Sequence, residues 1–334
     1  MSETDQHYVP QLLLRGFAHG KRKQLYAFDK RDERIFRSSV RNLACERGFY
    51  EPAEQKGLSN VDSWMERAET EVAPLIQRIR EQKSISWLLP AQRKWLSAFV
   101  MIQILRTPSH REMWSDFNRQ MTELIRESGA DPYKVENFRP LTDSELRDSS
   151  IAQIRELAVE LCPHLLAKSW LLLECSEDYA FWVSDNPVVM TNTINPGDGI
   201  RGTLGLRVRG IEIYLPISHR LTLGFLCPTA EQMVKSGVQT ATMFNLAIPE
   251  TIPELDVAFA GNHPFRIDSD NVTFQNSLQV SRSERYIYSP FNDFRLAEDM
   301  IRENPEIREG PRLGFAGRTG DLSSLSGSGS QQKI

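Results

Sequence analysis

The sequence predicts an α+β fold, with a helical central region flanked by an N-terminal β-hairpin and a C-terminal, mostly antiparallel sheet. Three observations carry this prediction. Two short alternating runs, residues 24–28 and 34–38, stand near the start with a charged stretch between them, the pattern of a hairpin. Apolar residues at helical spacing then fill most of residues 61–161, and beyond them strand-length apolar runs return at 170–174, 180–184, 210–215 and 221–226. Helices and strands segregated in this way mark α+β rather than an alternating βαβ array.

Composition sets the outer bounds. The 334 residues are 40% hydrophobic and 25% charged, enough for a core that needs no staples. They read as one domain over residues 1–303 followed by a disordered, Gly/Ser-rich tail over 304–334. A net charge of −4 gives no global nucleic-acid or membrane surface, although a local basic groove stays open. Cys45, Cys162, Cys175 and Cys227 are dispersed, which fits neither a zinc site nor a disulfide framework and suits a reducing cytoplasm. No basic start followed by an apolar run suggests a leader, and no apolar run is long enough to span a membrane. Nothing sets the oligomeric state.

Each element has its own reason. The segment from His7 to Phe17 is apolar where termini are usually frayed and polar, so it should dock. Pro10 can open a short helix, Leu12, Leu13 and Leu14 face inward, and Gly16 ends it. The 24–38 hairpin follows, then an aromatic patch at Phe49-Tyr50. A helix is expected over about 61–81. The strongest helix begins near Pro90, where Trp95, Phe99, Ile102 and Leu105, widened by Leu96, Val100 and Met101, make it apolar nearly all round and therefore buried. Pro108 should kink or restart it, with the helix resuming through His110 and ending at Gly129. Thr142 and Glu145 form a capping box for a helix that Pro163 should interrupt. Strands then follow, with helices at 229–246 and, capped by Asn271, at 272–283, and a last strand at 285–289.

Four places set polar groups among apolar neighbours, where they are costly unless paired or used. His7, with Tyr8 and Arg15, could supply an acid or base, or merely cap a helix with Arg15 at the surface; spacing alone leans to the cap. Gln103 and Arg106 lie one turn apart on one face. Arg106 needs either a carboxylate such as Glu66 or Glu69, which is the weightier reading, or an anionic substrate. Asp185, in Ser184-Asp185-Asn186-Pro187, follows a buried strand and could be a general base, a metal ligand or the partner that orients His7; local sequence favours an Asx-turn. Ser218 and His219 close a hairpin, and no oxyanion-hole signature supports them as a nucleophile pair. Glu46, Asp62 and Glu66 are further carboxylates whose spacing selects no metal. No cofactor or hydrolase motif is present.

Taken together, His7-Tyr8-Val9-Pro10-Gln11 with Leu14-Arg15-Gly16-Phe17, Gly48-Phe49-Tyr50, Gln103 with Arg106-Thr107-Pro108, Ser184-Asp185-Asn186-Pro187, Leu215-Pro216-Ile217-Ser218 and Arg285-Tyr286-Ile287-Tyr288-Ser289 resemble the domain-of-unknown-function family 4238 (DUF4238), over about residues 6 to 290. The resemblance implies no activity, cofactor or metal. A signature written in His, Arg, Gln and Asp does imply a polar pocket where His7, Gln103, Arg106 and Asp185 meet. The leading expectation is a metal-independent hydrolase or phosphodiesterase acting on a nucleotide or nucleic acid. His7 and Asp185 would be catalytic, Arg106 would hold a phosphate, and Tyr8, Arg15 and Gln103 would bind substrate. The alternative is a non-catalytic anion- or protein-binding sensor module of a bacterial conflict system. An enzyme would place His7 and Asp185 on a shared open cleft; a module would tie them into closed internal pairs.

Overall fold

The chain begins with β1 (Asp5–His7) and the one-turn helix α1 (Gln11–Leu14) in the computed structural model, which describes residues 5–51, 61–194 and 204–312. Strands β2 (Gln24–Asp29) and β3 (Arg34–Ser39) form the expected hairpin, and β4 (Cys45–Arg47) returns to pair antiparallel with β1. Four helices follow: α2 (Val61–Gln82), α3 (Pro90–Leu105), α4 (Pro108–Glu127) and α5 (Asp143–Leu166). Then come β5 (Ser169–Cys175), β6 (Val183–Ser184), β7 (Val189–Thr191), β8 (Glu212–Pro216) and β9 (Leu221–Leu226). The chain closes with α6 (Pro228–Phe244), α7 (Thr251–Phe259), β10 (Phe265–Ile267), α8 (Ser269–Arg282), β11 (Tyr286–Ser289) and α9 (Arg295–Glu303). The fold is α+β.

The hairpin is not a separate flank, because β2 pairs with β11 and β11 with β6. The resulting four-stranded sheet, in the order β3-β2-β11-β6, joins the two ends of the chain. The other large sheet runs β10-β5-β9-β8-β7; it is antiparallel except for the β10–β5 pair, which is parallel. One apolar cluster extends from Tyr8 to Tyr288 and takes in Ile76 of α2, Phe99 of α3, Leu172 of β5 and Leu223 of β9. Among the described residues no helix is long and apolar enough to cross a membrane.

The N-terminal segment is docked as its apolarity predicts. Leu13, Leu14 and Phe17 are fully buried, each contributing roughly 1.5–3 kcal/mol, far more than an isolated one-turn helix can supply. Pro108 restarts the helix rather than kinking it: α3 ends at Leu105, Thr107 caps α4 by accepting from the His110 N–H at 3.3 Å, and Pro108 takes the first turn.

Other elements depart from expectation for local reasons. Pro163 does not interrupt α5, which runs on to Leu166. The carbonyl it leaves free belongs to Val159, which is 63% exposed, so water can take that bond. Only Val183 and Ser184 of the 180–184 run form a strand. Phe181 donates its N–H to the His219 carbonyl and Trp182 donates to Asn276 Oδ1, so their backbones are engaged elsewhere. Helix α8 is capped by Asp268, whose carboxylate accepts from the Asn271 N–H, rather than by Asn271. Within the expected tail, residues 304–312 are described: a 3-10 turn spans Pro305–Arg308, and Arg312 pairs with Glu284 at 2.8 Å. Residues 313–334 lie outside the described residues.

Candidate functional site

The six candidate residues fall into distinct surroundings. Arg106 ends α3, 4% exposed, where α3 gives way to α4. Its Nη1 meets Glu69 of α2 at 2.5 Å, its Nε donates to the Tyr50 hydroxyl at 3.0 Å, and its Nη2 donates to the backbone carbonyl of His7. Tyr50 returns a bond from its hydroxyl to the Arg106 carbonyl at 3.0 Å. The same knot holds Gln6, which accepts from the Tyr50 N–H at 2.6 Å and donates to Asp62. Arg106 therefore ties the terminus to α2 through a carboxylate of the preceding helix.

His7 contributes its carbonyl to this knot. Its ring Nε2 is buried without a hydrogen-bond partner. Burial lowers its pKa, the carbonyls of Val40 and Arg41 pull the other way, and the nearby charges acting on it are Arg106 and Glu69. Gln103, one turn before Arg106, is fully buried, and neither end of its amide has a partner among the described residues.

Asp185 sits in a second knot. It is 2% exposed; Oδ1 accepts from the Glu284 N–H at 2.8 Å and Oδ2 from the Arg285 and Tyr286 N–H groups, each at 2.7 Å. The local turn is instead closed by Ser184, whose Oγ accepts from the Asn186 N–H at 3.3 Å. Burial pushes Asp185 up to about 6, against those three donors and the Lys30 charge. Lys30, fully buried, donates to the carbonyls of Val280, Ser283 and Ile307 at 3.0, 2.7 and 2.7 Å. Tyr8 belongs to this side as well, with the Tyr288 hydroxyl and the Asp185 charge acting on its own hydroxyl.

Arg15 lines an open cleft of about 470 Å³ that brings together α1, α2 and the β8–β9 turn. The charged residues of its lining are Arg15, Lys23, Arg80, Lys83 and Arg220, with His219 beside them, and no carboxylate is part of that lining. Arg15 is exposed, and its guanidinium donates to Gln11 Oε1 at 3.1 Å. Lys83 is neutralised by Glu174 at 2.5 Å. Arg80 differs from both: its guanidinium donates to the carbonyls of Leu12 at 2.9 Å and Ile217 at 2.8 Å, and no carboxylate pairs with it among the described residues. Those carbonyls satisfy its N–H groups but carry no charge, so the field of Arg80 reaches the cleft. Burial lowers its pKa to about 10, still fully protonated at neutral pH.

Gly16 is the hinge of this site. A Cβ here would lie 2.6 Å from Arg80 Nη2 and closer still to the Ile217 carbonyl oxygen, so only glycine lets the guanidinium pack against the backbone. The Gly16 carbonyl accepts from the His219 N–H at 3.1 Å and lies 3.0 Å from His219 Nδ1. A carbonyl can only accept, so Nδ1 carries the proton and, in the neutral ring, Nε2 keeps its lone pair. Burial lowers the His219 pKa, partly offset by the Gly16 carbonyl.

Arg80, absent from the four polar places read from sequence, does carry a signal there: it sits four residues after the buried Ile76 and eight after the buried Val72, a cation on the apolar stripe of α2. Lys30 gave none, standing in a charged run that reads as a turn.

Fold and cleft together describe a mixed α+β protein with an open, positively lined surface site. The chain belongs to the family described as "Protein of unknown function (DUF4238)", which matches residues 5–291 and so includes both polar knots and the cleft. No curated protein and no solved structure matches it.

Proposed function

We propose that this protein binds a phosphate-bearing ligand of nucleotide size in the cleft between α1, α2 and the β8–β9 turn. The observation that carries the reading is Arg80, a half-buried guanidinium held among the described residues by backbone carbonyls and no carboxylate, beside Arg15, Lys23 and Arg220. Several cations with no carboxylate in the lining favour a ligand with more than one negative charge, and guanidinium forks suit phosphate oxygens. The volume suits a small molecule. Binding of this kind fits a sensor module better than an enzyme built on His7 and Asp185, because the Asp185 carboxylate is already engaged by three backbone N–H groups.

Hydrolysis of a phosphoester in the same cleft is the second reading, and His219 is what favours it. With Nδ1 tied to Gly16, its Nε2 is the ring nitrogen free to accept a proton from an attacking water.

Inorganic pyrophosphate tests the binding. By isothermal titration at low salt, the Arg15→Gln/Lys23→Gln double variant should bind it at least about tenfold more weakly than wild type, since a hydrogen bond to a charged group is worth ~1.5–3 kcal/mol. Both side chains are at the surface, so the unfolding midpoint should stay put. Equal affinity in the two proteins would remove the cleft from consideration.

A further inference from the structure

A second cavity of about 400 Å³ opens where α7 and α8 meet strands β5, β8 and β10. Its walls are mostly apolar and include Leu171, Leu255, Phe265 and Phe274. Its polar end is built from Tyr214 and Glu212 of β8 and Gln275 of α8. The Tyr214 hydroxyl donates to Glu212 Oε2 at 2.6 Å, so its oxygen is left to accept, and the Gln275 side chain lies beside it. Gln275 Oε1, in a residue 5% exposed, is buried without a hydrogen-bond partner among the described residues. Glu212 Oε1 is approached by the Thr193 hydroxyl, and among the described residues no cation lies within ion-pair distance of Glu212.

A buried carbonyl oxygen without a donor is expensive, and an unpaired carboxylate at the rim of an apolar pocket attracts positive charge. Both groups can only accept. We infer that this cavity is a binding site for an organic ammonium: an amine with an apolar body seated on Leu171, Leu255 and Phe274, and an N–H-bearing cationic head between Glu212 and Gln275 Oε1. The site is separate from the basic cleft and selects the opposite charge.

The test uses the full chain and three probes of equal length: n-hexylammonium, n-hexanol and n-hexanoate. Saturation-transfer NMR and isothermal titration should detect hexylammonium binding, weaker hexanol binding and none by hexanoate. Glu212→Gln should weaken hexylammonium about tenfold or more. Gln275→Leu, which removes the orphaned oxygen, should lose the same binding while unfolding no more readily than wild type. Leu255→Trp, at a half-buried wall position, should block the cavity and abolish binding without touching either acceptor. Hexanoate binding as tightly as hexylammonium, or hexylammonium binding unchanged in all three variants, would overturn the assignment.

Discussion

Glu69→Ala is expected to destabilise the protein by about 3 kcal/mol or more. The substitution leaves Arg106, 4% exposed, with the Tyr50 hydroxyl and the His7 carbonyl, both neutral, as its side-chain hydrogen-bond partners among the described residues. Removing one partner of a buried ion pair strands an uncompensated charge and typically costs ~3–5 kcal/mol. The lower end applies here because Glu69 keeps 28% of its side-chain surface in contact with water. The measurement is the urea midpoint of unfolding, and a companion variant sharpens it. Replacing both partners, Glu69→Ala with Arg106→Met, removes the stranded charge and should be less destabilised than Glu69→Ala alone, giving a favourable coupling in the double-mutant cycle. A loss below about 1 kcal/mol for the single variant would mean that the pair behaves as a surface contact and that the terminus is held by apolar packing alone.

Asp185→Ala should be as damaging. Three backbone N–H groups, of Glu284, Arg285 and Tyr286, lose their acceptor together, and an unmade hydrogen bond to a buried group costs ~1–3 kcal/mol. Lys30, pushed down to about 8 by burial, also loses a charge that helps to keep it protonated. A total near 3 kcal/mol or above is expected, appearing as a lower thermal midpoint and as faster amide exchange through β11. Asp185→Asn should fall between, since it keeps one acceptor and turns a donor towards the remaining N–H. An alanine variant as stable as wild type would show that these N–H groups find other acceptors. Loss of any function in Asp185→Ala therefore reads first as loss of the junction between β6 and β11.

Much of the architecture was legible because it rests on patterns that local sequence carries. The hairpin, the buried helix α3 and the capped start of α5 follow from alternation, from an apolar surface all round, and from Thr142 with Glu145. What escaped notice is long-range. β10 is three residues long, too short to show a period, and is a strand only because β5 lies beside it. The pairing of β2 with β11 links residues 26–29 to 286–289, and no local signal reports such a contact.

The polar residues divide in the same way. Arg106 could be read as a buried cation in need of a carboxylate, and Glu69 supplies it. Asp185 could be read as polar at a strand end, but its three partners lie about a hundred residues away. The cleft assembles Arg15 from the opening segment with His219 from the fourth polar site, two places that seemed unrelated in sequence. Gly16, expected only to end a helix, turns out to make room for Arg80.

The most direct test of the anion cleft is the titration of His219 followed by imidazole C–H NMR signals, with and without sulfate, an anion whose own charge does not change in this range. In the free protein the His219 pKa should lie below the ordinary imidazole value of about 6.5, because burial disfavours the charged ring. Bound sulfate stabilises imidazolium, so the His219 pKa should rise, and by linkage sulfate should bind more tightly as pH falls through that range. A His219 titration that sulfate leaves unmoved, while sulfate binds elsewhere on the protein, would contradict the central claim.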